Sequence, residues 1–507
     1  MGTNRFGGPT ETVTLRMKKV FCMALTVMLS ATALIAQTTD KPFRISGQVK
    51  GLRDSSMVLA HWYRSGTQYI PKDTAKIDAE GRFVFEGLKA LPQGLYLVLT
   101  PKQRYMEIIV DDNQTFSFVT DTASFIKSMK ITGSKENEKF YEYQQSLAKL
   151  YDESQAIEMQ KKLRNDAVSA TMFQKQQADL SKKANDYRLD FIKANKGMFA
   201  AKLLEASAEP DVPTAPKASN GRPDSVWTFN YYKAHYWDGF DLTDERFLLT
   251  PIYQRKLERY IKELTVQQSD SLIKEAEFLA AKTKPNKEMN LYTIYWITSE
   301  YERPKVLGTD EVFIHMAEKY YLTGIMPLSD SAALAKVKEK IATIKPLLIG
   351  KPFPPMSVSD TLRRPINFPA IKADYLIVFL YDVDCGHCRK AIPEVKKYID
   401  ANKGKGVEIL AVPTSNASPD AWKKLVREFK IYNWINGYDY EFRTDFRHQY
   451  DVFTTPTVYV LGKDKKIIAR GVPAEQVGDF IDFYKRQQAA KATSAAPTAK
   501  KEPKAGK

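Results

Sequence analysis

Two cysteines, Cys385 and Cys388, are the residues of this sequence best suited to carry out chemistry, and a Gly-His pair separates them. Directly before them, residues 375–381 form an apolar run rich in β-branched and aromatic side chains, which is typical of a strand buried on both faces. After them, apolar residues recur at helical spacing until Gly404. The pattern therefore predicts that the cysteines lie where a strand passes into a helix.

This position gives the two thiols different roles. Unpaired N–H groups and the positive end of a helix dipole favour a thiolate, so we expect Cys385 to ionise more readily than a free thiol. Cys388 lies one turn further along, where it can attack a mixed disulfide formed by Cys385 and release the bound partner. The sequence thus predicts Cys385 as the nucleophile and Cys388 as the resolving thiol.

A C-x-x-C motif also occurs as half of a zinc site or as a short structural disulfide. A zinc site usually takes four ligands, commonly from two such pairs. The chain has three cysteines; the third, Cys22, lies in an apolar segment near the start, and the histidines outside the motif are scattered. We expect no metal at the cysteines, and dithiol chemistry requires no flavin, nucleotide or other cofactor.

Features further along the chain favour a redox role. Pro393 falls inside the predicted helix, where it is expected to produce a kink. Thr455 and Pro456 come directly before a second buried strand, 458–461, and a turn separates that strand from a third one at 466–470. This order of elements predicts a C-terminal α/β domain with a thioredoxin fold.

Residues 345–488 resemble the extracytoplasmic thioredoxin-fold proteins of the TlpA/ResA type. The resemblance implies that Pro456 is cis, lies beside the cysteines and, with the backbone of Thr455, docks an extended substrate segment. It also implies protein thiols and disulfides as substrates, a Cys385–Cys388 disulfide as the oxidised form, and a membrane thiol-redox protein as a partner. The matching residues are 350–354, the Cys-Gly-His-Cys motif, Pro393, 450–452 and the Thr455-Pro456 pair.

The chain departs from this family at the buried acid that thioredoxins usually carry six residues before the first cysteine. Phe379 occupies that place. Asp382 and Asp384 lie nearer and are candidates for proton transfer, although two carboxylates there would raise the pKa of Cys385. The alternative is that both are solvated loop acids.

The second departure is the pair Gly386 and His387, since the TlpA/ResA reductases generally have proline before the second cysteine. Cys-Gly-His-Cys is the active-site sequence of protein disulfide isomerases. An imidazole that donates to the Cys385 thiolate would make the disulfide more oxidising, near about −180 mV rather than about −270 mV. We predict that these residues tune the potential, with a solvent-facing histidine as the alternative, and the direction of electron flow stays open.

The start of the chain predicts export. A basic segment at 17–19 precedes an apolar run that ends in small residues near 36, which is typical of a cleaved signal peptide. Residues 1–36, including an upstream extension, are therefore assigned to the signal, and the mature chain would begin near Gln37 in the periplasm or cell envelope. A membrane anchor is the alternative, but the run is short and interrupted by hydroxyl residues.

Two further domains are predicted before the thioredoxin-like one. Residues 43–135 contain short β-branched and aromatic segments separated by turns, which predicts an all-β sandwich with a hairpin at 78–81. It resembles a β-domain of unknown function that precedes thioredoxin domains in envelope proteins of Bacteroidetes. The matching residues are 47–51, 81–85 and 131–137.

Residues 136–344 have helical periodicity and resemble the helical domain of unknown function that accompanies the same thioredoxin domains. Later helices are expected near 250–264, 268–283, 289–302 and 309–321. His235 lies in an aromatic-rich stretch, so we expect it to be a hydrogen-bonded core residue. The chain thus predicts a multidomain protein: an all-β sandwich, an α-helical middle domain and a C-terminal α/β domain.

The last residues, 489–507, are rich in Ala, Lys, Thr and Pro, which predicts a disordered basic tail. The formal charge of the chain is +16. Because the positive charge is spread along the sequence and no nucleic-acid module is present, we expect no nucleic-acid partner.

The favoured function is that of a periplasmic thiol-disulfide oxidoreductase. A thiol peroxidase is a weaker alternative, because residues 381–384 lack the Pro and the Thr or Ser that a peroxidatic cysteine requires. An envelope binding protein that uses the thioredoxin fold as a scaffold is the other alternative. The sequence leaves the oligomeric state and the physiological substrate open.

Overall fold

The computed structural model describes residues 42–63, 68–164 and 166–495. The predicted signal peptide, Cys22 and the mature start at Gln37 lie outside these residues. These described residues divide into two compact units: one comprises those up to Phe240 together with Arg246–Arg255, and the other comprises Asp241–Glu245 and those from Lys256 onward.

The first unit begins with an all-β domain. Its strands form two four-stranded sheets, with the orders β4-β1-β7-β8 and β3-β2-β5-β6. Burial alternates along β1 and is complete along β5. These features confirm the predicted β domain. The strands are β1 Phe43–Lys50, β2 Ser56–Tyr63, β3 Gln68–Lys76, β4 Arg82–Gly87, β5 Gly94–Leu99, β6 Tyr105–Val110, β7 Thr115–Asp121 and β8 Lys130–Thr132.

The turn at 78–81 does not close a hairpin, so this prediction was wrong. β3, before the turn, pairs with β2, whereas β4, after it, pairs with β1 in the other sheet. The carboxylate of Asp78 holds the turn by accepting the N–H groups of Glu80 and Arg82 at 3.0 and 2.8 Å. Turn residues specify a chain reversal, but the sheet that the next strand joins is decided by which partners bury its apolar face.

The first unit continues with helices. Ser134 caps the first of them, and the carboxamide of Asn137 in its first turn exchanges two hydrogen bonds of 2.7 Å with the backbone of Ile109 in β6. These bonds fix the start of the helix on the β domain. The helices are α1 Lys135–Leu163, α2 Ala167–Ala194, α3 Phe199–Ala206 and α4 Ser225–Ala234.

His235, expected in the core, is instead half-exposed at the end of α4. Its ring contacts Tyr231, with 4.3 Å between ring centroids, and its Nδ1 lies 2.6 Å from a carboxylate oxygen of Asp238. The side chain keeps 43% of its surface exposed. It is hydrogen-bonded as predicted, but it caps a helix end at the surface, where a polar ring loses little hydration.

The second unit contains the remaining helices of the middle region, at or near the predicted positions. Among the residues that the structure describes, no helix is both long and apolar enough to cross a membrane. A π-helical turn, Ala317–Tyr321, extends α8. The helices are α5 Ile252–Lys262, which enters this unit from the first, α6 Ser269–Thr283, α7 Lys287–Tyr301, α8 Asp310–Met316 and α9 Ser331–Ile344.

The C-terminal part of the second unit is an α/β domain around a mixed five-stranded sheet of order β11-β10-β9-β12-β13. The strands β9, β10 and β11 are parallel, whereas β12 runs antiparallel to β9 and to β13. This confirms the predicted fold class. The elements are β9 Tyr375–Tyr381, α10 Gly386–Ala401, β10 Val407–Pro413, α11 Pro419–Glu428, β11 Ile435–Asn436, α12 Phe446–Gln449, β12 Thr457–Gly462, β13 Ile467–Arg470 and α13 Val477–Ala495.

The central strand β9 is buried on both faces, except at its first residue. Ile377, Phe379 and Tyr381 pack in a cluster that also contains Cys388. The intervening residues, Leu376, Val378 and Leu380, pack in a second cluster on the opposite face. This alternation is the reason that the strand reads as a continuous apolar run.

The last helix, α13, continues to Ala495, beyond residue 488, where the sequence predicted that the disordered tail begins. The prediction was wrong for residues 489–495. Four of these seven residues are alanine, which has the highest helix propensity, and they extend a helix that is already anchored by its first turns. Residues 496–507 lie outside the part of the chain that the structure describes.

Candidate active site

The first cysteine is the residue that caps α10. β9 ends at Tyr381, and the chain turns through Asp382 to Cys385, whose N–H donates to the Asp382 carbonyl oxygen at 3.3 Å. Cys385 has extended backbone angles, and its Sγ accepts the N–H of Cys388 at 3.5 Å. A sulfur in this position takes the place of the side-chain oxygen that normally satisfies the first N–H groups of a helix.

The two thiols differ in exposure. Cys385 is partly exposed, whereas Cys388 is fully buried in the cluster under α10. Both are free thiols, so the structure describes the reduced form of the pair. A molecule in solution can therefore reach Cys385, whereas the fold shields Cys388.

The environments of the two sulfurs shift their pKa values in opposite directions. Burial raises the pKa of Cys385, but hydrogen bonding with the side chain of Thr455 and with the backbone N–H groups of Cys388 and His387 outweighs it, so the pKa lies below the ordinary thiol value. Burial raises the pKa of Cys388 to about 12. The arrangement therefore makes Cys385 the more acidic thiol of the pair and keeps Cys388 protonated at neutral pH.

The loop before β12 completes the site. The Thr455-Pro456 peptide bond is cis, and the thiol of Cys385 donates to the Thr455 carbonyl oxygen at 3.4 Å. The sheet register explains this proximity, because Thr457 pairs with Leu380 near the end of β9. The structure thus brings Cys385, Cys388, Thr455 and Pro456 together.

Buried tyrosines hold the preceding segment of this loop. The hydroxyl of Tyr450 donates to the Pro355 carbonyl oxygen at 2.9 Å, and the hydroxyl of Tyr459 donates to the Tyr450 carbonyl oxygen at 2.7 Å. Phe353 stacks on the Tyr450 ring, with 5.3 Å between centroids. These contacts connect two of the segments that carry the sequence resemblance, 350–354 and 450–452.

The structure does not place the imidazole of His387 against Cys385. His387 and Gly386 are both exposed in the first turn of α10. The contribution of His387 to the thiolate comes from its backbone N–H. The structure therefore has the alternative arrangement, in which the His387 ring faces solvent.

The two candidate proton carriers have different surroundings. Asp382 is half-buried, and its carboxylate accepts the N–H of Asp384 at 2.9 Å, which stabilises the turn before Cys385. Asp384 is exposed. Phe379 is fully buried where a thioredoxin acid would stand, so a side-chain acid does not reach Cys388 from that position. Proton transfer through Asp382 stays a prediction.

Sequence reasoning missed a cleft beside the loop of Pro456. This side cleft, of about 650 Å³, is lined by the segment 302–307, by α9, and by Phe453, Thr454 and Arg470 of the α/β domain. No local pattern marks it, because it forms only where the helical segment packs on the α/β domain. In the described residues, no group of three or more His, Cys, Asp or Glu side chains is arranged to hold a metal ion.

Comparison with known families divides the chain into three matched parts. Residues 43–140 match a domain of unknown function, DUF4369, and residues 169–345 match a second one, DUF5106. Residues 373–467, which contain both cysteines, match the thioredoxin-like family.

The relatives of the last part include proteins named thiol-disulfide oxidoreductase ResA. That of Bacillus cereus is 25% identical over 142 residues, which is 27% of this chain and 76% of that protein. That of Bacillus thuringiensis is 24% identical over the same length.

Solved structures from Bacteroidetes are also similar. One is a domain of a possible thiol-disulfide isomerase from Cytophaga hutchinsonii, with 34% identity over 29% of this chain and 98% of that chain, at a TM-score of 0.27. Another is a thioredoxin-like protein from Bacteroides caccae, with 18% identity over 55% of this chain and all of the other, at a TM-score of 0.43.

Proposed function

We propose that this chain, whose C-terminal domain is thioredoxin-like, is a thiol-disulfide oxidoreductase that acts on protein thiols by exchange at Cys385 and Cys388. One observation carries the proposal: the partly exposed Cys385 sulfur caps α10, accepts the N–H of Cys388, and lies beside the carbonyl oxygen of Thr455. The similarity to proteins named thiol-disulfide oxidoreductases supports it.

In the reducing direction, the Cys385 thiolate attacks one sulfur of a substrate disulfide. A mixed disulfide forms, and the other substrate sulfur leaves as a thiolate and takes up a proton. Cys388 then loses its proton and attacks the Cys385 sulfur, which releases the second substrate thiol. The net reaction moves two electrons and two protons to the substrate and leaves a Cys385–Cys388 disulfide. The oxidising direction is the reverse.

The loop of Pro456 would dock the substrate. When Cys385 ionises, it no longer donates to the Thr455 carbonyl oxygen, which is then able to accept an N–H from an extended substrate backbone. Pro456 would pack against the same segment. Docking beside the carbonyl would hold the substrate sulfur near Cys385.

We place this activity in the periplasm, with electrons exchanged through a membrane thiol-redox partner. The signal-like pattern of residues 1–36 supports this location. The direction of net electron flow depends on the reduction potential of the cysteine pair relative to that partner.

The test is an equilibrium titration of the chain from Gln37 in glutathione and dithiothreitol buffers, combined with an assay of disulfide reduction in a protein substrate. We expect a reversible two-electron couple that needs both cysteines. A potential near about −270 mV would indicate a reductase, and one near about −180 mV an oxidase or isomerase. A pair that never exchanges with thiols would reject the proposal in favour of a scaffold, and peroxide turnover without protein substrates would favour a peroxidase.

A further inference from the structure

The side cleft adjoins the proposed docking loop directly. Two of its lining residues, Phe453 and Thr454, immediately precede the Thr455-Pro456 bond, and Thr457 follows it. A substrate segment that lies along the loop therefore extends toward the cleft when it leaves Cys385. The cleft is large enough, at about 650 Å³, to take several side chains.

Ion pairs, among them those of a largely buried arginine, join the two walls of the cleft. Arg470 of β13 lies 2.7 Å from Asp451 and 3.4 Å from Asp310 at the start of α8, and its side chain is only 13% exposed. Glu339 of α9 pairs with His448 at 2.8 Å. The wall supplied by the helical segment is thus attached to the loop region of the α/β domain before any substrate arrives.

Once these pairs are set aside, the cleft has an excess of positive charge. Glu302 is paired with Lys340 at 2.6 Å. In contrast, four cations of the cleft make no ion pair within the described residues, and each of them is solvent-exposed. They are Arg303, Lys305, Lys336 and Arg447. Exposed cations at the wall of a concave site attract anionic groups, because the low-dielectric walls focus their field.

The cleft also offers apolar contact. Val306, Leu307 and Phe453 line it and are 40%, 39% and 52% exposed. Arg447 lies over the ring of Phe453, 4.7 Å from its centroid, so the positive and apolar surfaces are adjacent. A polypeptide with carboxylates and apolar side chains complements such a surface better than a small inorganic anion does.

We propose that the side cleft binds an acidic segment of the substrate protein next to its reacting cysteine, so that the helical domain selects substrates for the thioredoxin-like domain. The inference rests on the proposed function. The unpaired cations would contact Asp or Glu side chains, while Phe453, Val306 and Leu307 would contact apolar side chains between them. The segment of the middle domain that lines the cleft thereby becomes part of the substrate site.

The test uses three synthetic peptides of equal length, each with one cysteine in a mixed disulfide with 5-thio-2-nitrobenzoate. The cysteine is flanked by Asp and Glu, by Asn and Gln, or by Lys. Cys385 attacks the peptide sulfur and releases the coloured nitrothiobenzoate, and Cys388 then releases the peptide thiol. The second-order rate constant is measured with the reduced chain from Gln37.

We expect the acidic peptide to react about tenfold or more faster than the lysine peptide at low salt, and this ratio to shrink in about 0.5 M salt. In R303A/K305A/K336A the ratio should approach one. In the charge reversal R303E/K305E/K336E the lysine peptide should react faster, a gain that misfolding cannot produce. The matched control K397A/K403A/K424A removes three exposed lysines outside the cleft lining and should keep the original ratio.

Equal rates for the acidic and lysine peptides in the unmodified chain would overturn the inference. So would a ratio of the two rates that falls as far in the control variant as in R303A/K305A/K336A. In both cases reaction with the neutral peptide would leave the proposed function intact. If the reduced chain released no nitrothiobenzoate from any peptide, the proposed function itself would fail.

Discussion

The thiol of Cys385 lies 3.4 Å from the carbonyl oxygen of Thr455, to which it donates a hydrogen bond, although 70 positions separate the two residues in the chain. One residue caps a helix, and the other precedes an antiparallel neighbour of the central strand. The reactive sulfur and the backbone that would dock a substrate therefore lie at the same end of the sheet, where β9 ends and β12 begins.

Trapping of a substrate should distinguish the two cysteines. Cys388→Ser removes the resolving thiol, so a mixed disulfide between Cys385 and a substrate protein should accumulate and be visible by non-reducing electrophoresis and mass spectrometry. Cys385→Ser should form no such adduct, and turnover should fall by at least about 100-fold in both variants, as expected when a nucleophilic step is lost. Adducts through Cys388 in the Cys385→Ser chain would reverse the assigned roles.

The pH dependence of alkylation should report the lowered pKa of Cys385. The rate with iodoacetamide follows the thiolate, so it should rise as the pH passes through a pKa below the ordinary thiol value and then level off. Cys388, whose pKa is raised to about 12, should stay unmodified in the folded chain over the same range. The control is the chain unfolded in guanidinium, where both thiols should titrate near the ordinary value. Identical profiles in the folded and unfolded chains would contradict the shift.

Replacement of His387 should have a small effect on the potential. Its ring is exposed and does not contact Cys385, so His387→Asn should change the reduction potential by less than about 30 mV, or about 1.4 kcal/mol for two electrons. The measurement is the same glutathione equilibrium, with Lys390→Asn, another exposed residue of α10, as the control. A shift of about 90 mV would show that the imidazole reaches the thiolate.

Replacement of Arg470 should destabilise the α/β domain strongly. Its side chain is 13% exposed and pairs with Asp451 and with Asp310, which is 6% exposed. Arg470→Met leaves the buried Asp310 and the partly buried Asp451 without this ion-pair partner, and loss of one partner from a buried pair typically costs about 3–5 kcal/mol. The free energy of the opening of the α/β domain that exposes Cys388 can be measured in a Cys385→Ser background. It follows from the rate at which the buried Cys388 reacts with a thiol reagent.

The control for Arg470 is Arg364→Met. Arg364 pairs with Asp360, but its side chain is 73% exposed, so its loss should change the free energy by less than about 1 kcal/mol. If the two replacements changed the free energy of opening equally, the ion pairs of Arg470 would not hold the domain together.

Local patterns were sufficient for much of the fold. The apolar run before Cys385, the helical spacing after it and the helices between 250 and 321 follow from periodicity, because residues close in sequence set those signals. The hairpin at 78–81 and the core position of His235 were wrong, since both depend on which distant segments cover a strand or a ring. The end of α13 was predicted too early. Residues of high helix propensity continue this helix past residue 488, where the sequence loses its apolar pattern.

The sequence by itself determined that the chain has a C-x-x-C motif at a strand-to-helix boundary and an α/β domain at its end. Only the tertiary structure decided that Cys385 meets Thr455, that the His387 ring faces solvent, and that Arg470 joins α8 to the loop before Pro456. The reason is physical: helix and strand signals are local, whereas sheet register, burial and the shape of a cleft depend on contacts between residues that are distant in the chain.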